Sequence, residues 1–550
     1  MNLDLKQTPF SRFGTYLSIF QPKGDPGCGA GLYLRTHHAA RVGRRDVMRL
    51  ELLADGPMQV TATPAVLTLS AGDRQVRLCL TADDTVRLAG NAGLRLRAVA
   101  GPGNVAQPMG ARRWSVNARQ SYCRFMVDVL AGDLRADCPW DPKGAPPMTL
   151  DLLPGKDGVL DAAIDRYWST WTERERPAFA QCVREAEREW AGWLALQPSA
   201  PLALREAWEL AAYVNWGAGI RAGGLIKRPA ILMSKVQMDN VWSWDHCFNA
   251  MALSYHAPEL AFDQWLVPFD QQDEFGALPD ACNPFIQHFN FCKLPIHGWA
   301  LKFMLDRLSQ NQVRQAYAPL AAWTNWWLTH RRMPGQVLPY YLHGNDSGWD
   351  NSTMFDAGAP LIAPDLAAFL AIQCEVLGEI AGKAHEARHW REQSRQLIAA
   401  LLAELWKGDH FVARRASDAF EVKCDSLVPL MPVLLGKRLP KPVARKLVAG
   451  IRPHLTEWGL ATELTGSPHY TSDGYWRGPI WGPCTMIAVD GLMQLGEKKL
   501  AREIAGRFCR LCAKSGFAEN FDALTGTPLR DTAYTWTSSV FLILAHEYRR

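Results

Sequence analysis

Three aspartates lie close together in the segment His343–Asp356, which reads HGNDSGWDNSTMFD. They are Asp346, Asp350 and Asp356, and a Gly-Trp pair directly precedes Asp350. Cleavage of a glycosidic bond usually needs two carboxyl groups: one protonates the leaving oxygen, and the other activates water or attacks the sugar. An indole that shields a carboxyl group from water raises its pKa, which suits a general acid. The composition fits a turn whose side chains bond only to the backbone equally well.

A second carboxyl candidate is Glu519, in the segment Ser515–Pro528 (SGFAENFDALTGTP). It follows the end of a predicted helix, and Asn520, Phe521 and Asp522 come directly after it. A solvated acid in a turn is the simpler interpretation when this segment is read by itself. Glu519 becomes a candidate catalytic base only in combination with the aspartate-rich segment.

Other loops combine aromatic rings with polar groups, as sugar sites do, because flat rings stack on the apolar faces of sugars. In Lys235–Met251 the pair Trp242 and Trp244 is followed by Asp245, which either caps the next helix or grips two sugar hydroxyls. In the loop Ser472–Pro483, Trp476 and Trp481 could form a stacking wall, and Arg477 could pair with a carboxylate. The loop Lys293–Ala300 offers His297 and Trp299. The 22 tryptophans of the chain favour carbohydrate, although Trp also fills large helical cores.

Several other kinds of chemistry find no support in the 550 residues. No calcium-hand spacing, H-E-x-x-H, G-x-S-x-G, Walker or dinucleotide-binding motif is present, so we predict neither a metal nor a cofactor. The pair Cys509 and Cys512 is interpreted as two buried small side chains, and the 13 scattered cysteines fit a reducing compartment. A net charge of +5 without basic clusters argues against nucleic acid as a partner.

The period of the hydrophobic pattern changes along the chain. Residues 1–160 contain short alternating segments between turn signals and predict an antiparallel, sandwich-like β domain. Residues 161–200 predict a helical linker, and residues 201–550 a mainly helical catalytic domain. No transmembrane helix and no signal peptide is evident, so we expect a cytoplasmic protein without a membrane partner. The oligomeric state is not readable from the sequence.

The helices are predicted from apolar residues that recur with a period of 3.6. In one example, Trp390, Leu397, Leu401 and Leu405 form one stripe. The stretch 138–154 is rich in proline and is expected to be irregular. The predicted helices are Phe179–Leu196, Ala203–Ile220, Trp244–Tyr255, Ile296–Leu308, Val313–Arg331, Pro364–Gly382, Glu386–Trp406, Val443–Leu455, Pro483–Leu495, Leu500–Lys514 and Ala533–Tyr548.

These loops resemble those of glycoside hydrolase family 63, in the branch of the mannosylglycerate and glucosylglycerate hydrolases. They are more distantly similar to the family 37 trehalases. The resemblance covers about residues 200–550, and its motifs occur in the family's order. They are WDHCF at Trp244–Phe248, SGWDNS at Ser347–Ser352, DSLVPLMP at Asp425–Pro432, YWRGPIW at Tyr475–Trp481, ENFDALTG at Glu519–Gly526 and YTWTSSVFL at Tyr534–Leu542.

The resemblance implies an (α/α)6 barrel that follows the smaller β domain, and hydrolysis with inversion at the anomeric carbon. It implies that Asp350 is the general acid and Glu519 the general base. The resemblance and the loops together give these predicted sugar contacts: Trp242, Trp244, Asp245, His246, His297, Trp299, Asp346, Gly348, Trp349, Asn351, Tyr475, Trp476, Arg477, Gly478, Trp481 and Trp536.

Two departures from the family pattern put the preferred substrate in doubt. Asp346 stands where relatives often have Glu, and Lys293-Leu294-Pro295 stands where they often have Gln-Pro-Pro. Lys293 is interpreted as a surface lysine. The other hypothesis is that it faces an acidic aglycone such as a glycerate carboxylate. The leading interpretation is an exo-glycosidase that acts on a small α-glucoside or α-mannoside. The alternatives are a sugar epimerase or lyase on a similar barrel, and a sugar-binding protein without catalysis.

Overall fold

The structure is a computed structural model that describes residues 1–22, 29–141 and 143–548. Its N-terminal part consists of antiparallel strands. They are β1 (Leu17–Phe20), β2 (Leu32–Thr36), β3 (Asp46–Leu53), β4 (Gln59–Ala62), β5 (Leu67–Ala71), β6 (Arg74–Leu80), β7 (Thr85–Gly90), β8 (Gly93–Ala98), β9 (Val105–Gly110), β10 (Arg113–Ala118), β11 (Cys123–Ala131), β12 (Asp133–Asp137), β13 (Thr149–Leu153) and β14 (Leu160–Tyr167).

These strands form two sheets. One has the order β1-β2-β3-β8-β13-β12, and the other has the order β4-β5-β6-β7-β14-β11-β10-β9. Side chains alternate between buried and partly exposed along β5, as expected for a sheet with one face on the core. Strand β13 lies inside the proline-rich stretch that was expected to be irregular. That expectation is wrong for residues 149–153, which carry no proline and pair with β8 and β12.

Helices make up most of the remaining chain. They are α1 (Phe179–Ala195), α2 (Arg205–Ala218), α3 (Asp245–Leu253), α4 (Pro258–Leu266), α5 (His297–Met304), α6 (Gln310–His330), α7 (Gly344–Ser347), α8 (Pro364–Ile380), α9 (Ala384–Ala400), α10 (Lys441–Ile451), α11 (Gly482–Gln494), α12 (Lys498–Ser515) and α13 (Thr535–Glu547). A π-helical segment, Leu401–Leu405, continues α9. The longest 3-10 segment, Val428–Arg438, bends at Gly436, whose φ is 55°.

Short strands and 3-10 turns lie between the longer elements. The short strands of this part are β15 (Gly219–Ile220), β16 (Ala230–Ile231), β17 (Val241–Trp242), β18 (Ala281–Cys282), β19 (Gln287–His288), β20 (Leu361–Ile362), β21 (Ala413–Arg415), β22 (Glu421–Val422), β23 (Asn520–Phe521) and β24 (Pro528–Leu529). The short 3-10 turns are Arg119–Ser121, Leu202–Leu204, Phe269–Gln271, Leu305–Arg307, Thr353–Phe355 and Arg452–His454.

The helices α3, α5, α8, the segment Val428–Arg438, α11 and α13 contact one another in this order, and α13 contacts α3 again. This ring is apolar on nearly all sides, as α8, α11 and α13 show, which is typical of fully buried helices. The outer helices α2, α4, α6, α9, α10 and α12 each contact a member of the ring. Outer α9 is amphipathic, and the predicted stripe from Trp390 to Leu405 is its buried face.

The two parts of the chain are joined by ion pairs whose carboxylates are buried. Arg45 of the N-terminal part donates two hydrogen bonds, of 2.9 and 2.7 Å, to Asp239 in the loop after β16. Asp84, which precedes β7, pairs with Arg221 after α2 at 2.7 Å. These contacts hold the β sheets beside the loop that precedes α3. Among the described residues, no helix combines the length and apolar content that crossing a membrane requires.

Candidate active site

The loops that enter the inner helices meet at one end of the ring. Asp245 stands at the start of α3, and Lys293 lies shortly before α5. Asp350 lies before α8, Tyr475 before α11, and Glu519 before α13. Because the inner helices are all entered from this end, side chains that are far apart in the sequence converge here.

These side chains line one small cavity, which we call the cleft. It is lined by Met238, Trp242, Trp244, Asp245, Lys293, Gly348, Asp350, Tyr475, Trp476, Glu519, Tyr534 and Trp536. Both candidate carboxyl groups, Asp350 and Glu519, are therefore part of the same cavity. Larger cavities exist, but neither Asp350 nor Glu519 lines them.

Asp350 is the more exposed of the two acids, with 25% of its side chain accessible. The hydroxyl of Tyr475 donates a hydrogen bond of 3.2 Å to its Oδ2, and Nζ of Lys293 lies 3.9 Å from its Oδ1. The loop geometry depends on Gly348, whose φ is 73°. A Cβ atom at this glycine would lie 2.7 Å from the ring of Trp244, so any other residue would displace a wall of the cleft.

Glu519 is 5% exposed. Burial raises its pKa to about 8, and the negative charges of Asp531 and Asp245 add to this effect, while Arg530 acts in the opposite direction. Burial also raises the pKa of Asp245 to about 7, although Lys293 and a 3.0 Å hydrogen bond from the Tyr534 hydroxyl favour its charged form. The cleft therefore contains carboxyl groups that hold protons near neutral pH.

The walls of the cleft are indole rings. Trp244 and Trp536 meet edge to face with their centroids 5.3 Å apart, and Trp476 lies 6.1 Å from Trp244. Trp476 also stacks on Trp481 at 3.9 Å with an interplanar angle of 5°. Trp481 is fully buried, so its ring supports Trp476 from behind. Aromatic rings that stand beside polar side chains are typical of sugar sites.

The structure brings seven of the predicted sugar contacts into the lining and leaves nine outside it. Those in the lining are Trp242, Trp244, Asp245, Gly348, Tyr475, Trp476 and Trp536; those outside are His246, His297, Trp299, Asp346, Trp349, Asn351, Arg477, Gly478 and Trp481. Several of the outside residues have structural partners. Asp346 accepts a 2.8 Å hydrogen bond from Arg331, and Trp299 donates one of 2.8 Å to Asp490.

Asn351 and Arg477 connect the loop of Asp350 to the loop of Tyr475. The Asn351 side chain accepts a hydrogen bond of 2.9 Å from the Trp476 N–H and donates one of 3.0 Å to the Gly474 carbonyl. Arg477 donates a hydrogen bond of 2.7 Å to the Asn351 carbonyl and pairs with Asp356. These contacts fix Asp350 relative to Tyr475 without entering the cleft.

His246, Cys247 and His297 cluster behind the cleft, and their ligand atoms lie within 4.8 Å of one another. Among the described residues, this group has a geometry that could hold a metal ion. All three are buried, and burial lowers the pKa of His246 to about 4 and that of His297 well below its usual value. Nδ1 of His246 lies 2.9 Å from the Trp242 carbonyl oxygen, as in an ordinary core histidine.

Lys293 is 4% exposed, so its interpretation as a surface lysine is wrong. Its Nζ lies 2.9 Å from Asp280 and donates a 2.7 Å hydrogen bond to the Asn345 carbonyl. The sequence reasoning also missed Tyr534 and Met238 as lining residues. Tyr534 is the first residue of the motif YTWTSSVFL. Its hydroxyl, directly before the last helix, is the sequence feature that could have identified it as a lining residue.

The N-terminal part reaches the rim of the cleft. The guanidinium of Arg41, in the loop between β2 and β3, lies 5.5 Å from the centre of the Trp242 ring. Nearby, Tyr122 packs against Phe285 with a centroid distance of 4.9 Å. A loop of the N-terminal part therefore contacts Trp242, a lining residue of the cleft.

Comparison with known proteins agrees with this geometry. A family model of the mannosylglycerate hydrolase MGH1-like glycoside hydrolase domain matches residues 238–537. The chain belongs to this family. It is thus a glycoside hydrolase, and the matched range contains every residue of the cleft. The predicted family resemblance is confirmed.

Two mannosylglycerate hydrolases are similar to this chain over most of their own length. A mannosylglycerate hydrolase from Rubrobacter radiotolerans is 22% identical over 400 residues, which covers 55% of this chain and 89% of the relative. The crystal structure of a GH63 mannosylglycerate hydrolase from Thermus thermophilus in complex with glucose has a TM-score of 0.54. It is 16% identical and covers 61% of this chain and 99% of that chain.

A second structure of the Thermus thermophilus enzyme, in complex with Tris and D-glycerate, also has a TM-score of 0.54 at 17% identity. It likewise covers 61% of this chain and 99% of that chain. These likenesses show the fold: a helical-barrel glycosidase domain, here joined to an N-terminal β domain.

Proposed function

We propose that this glycoside hydrolase is an inverting exo-glycosidase that releases glucose or mannose from a small α-glycoside. The observation that carries the proposal is that the carboxyl groups of Asp350 and Glu519 line one small cavity walled by Trp244, Trp476 and Trp536.

In this proposal Asp350 is the general acid and Glu519 the general base. Asp350 gives its proton to the leaving oxygen as the bond to the anomeric carbon breaks. A water molecule attacks the opposite face of the sugar and gives its proton to Glu519. Asp245, which is held by Tyr534, accepts hydrogen bonds from sugar hydroxyls. The remaining predicted contacts that lie outside the lining act by supporting these groups.

The proposed architecture is an (α/α)6 barrel within residues 201–550. The ring of six inner helical segments, surrounded by six outer helices, supports it. Residues 1–160 are proposed as the β domain, to which β14 (Leu160–Tyr167) adds its last strand, and the rest of residues 161–200, which contains α1, as the linker. The names and ligands of the relatives favour a sugar joined to a small, glycerate-like leaving group. No metal and no cofactor takes part in this chemistry.

An epimerase is the less favoured alternative, because such enzymes usually use a histidine base. His246 and His297 lie behind the cleft and not in its lining. The proposed screen covers α-glucosides and α-mannosides, including glucosylglycerate, mannosylglycerate and trehalose, with products followed by proton NMR. We expect two products and a β-configured sugar at early times. One isomerised product would indicate an epimerase, and binding without turnover would indicate a non-catalytic protein.

The roles of the acids are tested with Asp350→Asn and Glu519→Gln. Each should lower kcat on an alkyl glycoside by about a thousandfold, since each removes one proton-transfer step. Asp522→Asn is the matched control, because Asp522 lies in the loop of Glu519 and outside the lining. Near-normal turnover by Asp350→Asn or Glu519→Gln would refute the corresponding role.

A further inference from the structure

Lys293 is a buried cation beside the proposed acid. Its Nζ has three oxygen neighbours: Asp280 at 2.9 Å, the Asn345 carbonyl at 2.7 Å and Asp350 at 3.9 Å. A charge buried in this way is unfavourable unless it is paired. Asp280 already provides a partner, so the approach to Asp350 is not needed to bury the lysine.

Lys293 is the only basic side chain among the described residues that line the cleft. The other ionisable groups of the lining are Asp245, Asp350, Tyr475, Glu519 and Tyr534, which are anionic or neutral. Asp280 faces the lysine from the segment before β18, and Arg530 acts on Glu519 from outside the lining. Burial disfavours the charged form of Lys293, but Asp350 and Asp280 outweigh this effect and raise its pKa. The lysine therefore stays protonated.

We infer that Lys293 is a positioning residue for acid catalysis, whose ammonium group stabilises the carboxylate that Asp350 becomes during the reaction. The inference rests on the proposed function. The proton of Asp350 moves to the glycosidic oxygen as the bond from that oxygen to the anomeric carbon breaks. Asp350 is left with a negative charge 3.9 Å from a fixed cation. Lys293 itself neither gains nor loses a proton.

The test compares two leaving groups on the same sugar. An alkyl α-glycoside needs a proton from the acid, whereas an α-glycosyl fluoride leaves with little or no protonation. Lys293→Gln should lower kcat/KM for the alkyl glycoside by about 100-fold, the usual effect of losing one charge-stabilising group. For the fluoride we expect a change of less than about threefold. Equal losses on both substrates, or no loss on either, would overturn the inference.

Lys302→Gln is the matched control, because Lys302 lies on α5 and forms an exposed ion pair with Glu379. Asp280→Asn is the second variant and keeps the inference testable if Lys293→Gln folds poorly. It leaves Lys293 with Asp350 as its remaining carboxylate partner. The charge of Lys293 then acts more strongly on Asp350, so the ratio of kcat/KM for the alkyl glycoside to kcat/KM for the fluoride should stay the same or rise. A fall in this ratio would contradict the inference.

Failure of the inference and failure of the proposed function give different results. If Asp350→Asn keeps its activity on the alkyl glycoside, then Asp350 is not the acid and the proposed function is wrong. If Asp350→Asn loses that activity but Lys293→Gln affects both substrates equally, only the role of Lys293 is wrong.

Discussion

The hydroxyl of Tyr475 donates a hydrogen bond of 3.2 Å to Oδ2 of Asp350, across 125 residues of sequence. Tyr475 holds this position with a left-handed backbone, at a φ of 63°, which costs free energy for a residue with a side chain. Its ring packs against Trp481 at 5.2 Å and under the guanidinium of Arg530 at 4.9 Å. The strained turn therefore aims the hydroxyl at the proposed acid.

Tyr475→Phe should keep the ring and remove only this hydrogen bond. A hydrogen bond to a charged group contributes about 1.5–3 kcal/mol, so we expect kcat/KM on an alkyl glycoside to fall roughly 10- to 100-fold. Steady-state kinetics on the substrate from the screen provides the measurement. Tyr470→Phe, in the same loop region but outside the cleft, should change kcat/KM less than about twofold. A similar loss in both variants would refute the specific role of the Tyr475 hydroxyl.

The protonation of Glu519 predicts the position of one limb of the pH profile. A general base must be ionised, and the pKa of Glu519 is raised to about 8, mainly by burial. The ionised fraction of Glu519 therefore falls as the pH falls through about 8, and we expect one limb of the kcat/KM profile near this pH. Because the carboxyl groups interact, the observed value belongs to the coupled set of acids.

Replacing Arg530 should shift the pKa of Glu519 in a known direction. Arg530 lowers the pKa of Glu519, so Arg530→Gln should move the limb that Glu519 controls to higher pH. The pH dependence of kcat/KM measured for both proteins would show this shift. A limb that moves to lower pH, or does not move, would mean that another group controls this limb of the profile.

Much of the helical architecture was predictable because it depends on local periodicity. The predicted stripe of Trp390, Leu397, Leu401 and Leu405 is buried, and each predicted helix has an observed counterpart shifted by only a few residues at its ends. Helix α4 was missed because its nine residues carry apolar side chains without a clear stripe. Such a short segment offers little periodicity to recognise.

The site was less predictable because residue type does not tell which groups a side chain meets. Trp476 and Trp481 looked equivalent in the sequence, but Trp476 lines the cleft and Trp481 stacks behind it. Lys293 looked like a surface residue because its partners are Asp280 and Asp350, 13 and 57 positions away in the chain. Such contacts arise only when the ring of helices closes.

Gly348 provides a test of how the loop of Asp350 is packed. In Gly348→Ala the new Cβ would lie 2.7 Å from the ring of Trp244, at a position whose φ is already 73°. We expect kcat/KM to fall by more than about tenfold, because a misplaced loop next to the acid disturbs the reacting geometry. Gly335→Ala is a matched control, since its φ is 75° but its Cβ would meet nothing within 4 Å.

The control variant separates backbone strain from the clash. Gly335→Ala should lose about 1 kcal/mol of unfolding free energy and keep its activity. Urea denaturation and kinetics on both variants give the two measurements. If both variants lose activity to the same extent, the contact with Trp244 does not explain the requirement for glycine at position 348.

Asp84 links the β sheets to the helices and predicts how stability depends on pH. It is fully buried and pairs with Arg166 at 2.8 Å and with Arg221 at 2.7 Å. Burial alone would raise its pKa, but the two arginines and the hydrogen bond from the Tyr16 N–H hold it at about 2. The pKa of an Asp in the unfolded chain is about 3.9. The contribution of Asp84 to the free energy of unfolding is therefore complete above about pH 4 and is lost as the pH falls towards about 2.

Asp84→Asn should leave the guanidinium of Arg166 buried without its counter-charge. We expect the unfolding free energy at pH 7 to fall by roughly 3–5 kcal/mol, and the loss of stability between about pH 4 and 2 to become smaller than in the unchanged protein. Denaturant unfolding followed by tryptophan fluorescence at several pH values measures both effects. Asp83→Asn changes the neighbouring exposed carboxyl and should shift the free energy by less than about 0.5 kcal/mol. If Asp84→Asn were as stable as Asp83→Asn, the ion pairs of Asp84 would not contribute to the stability of the fold.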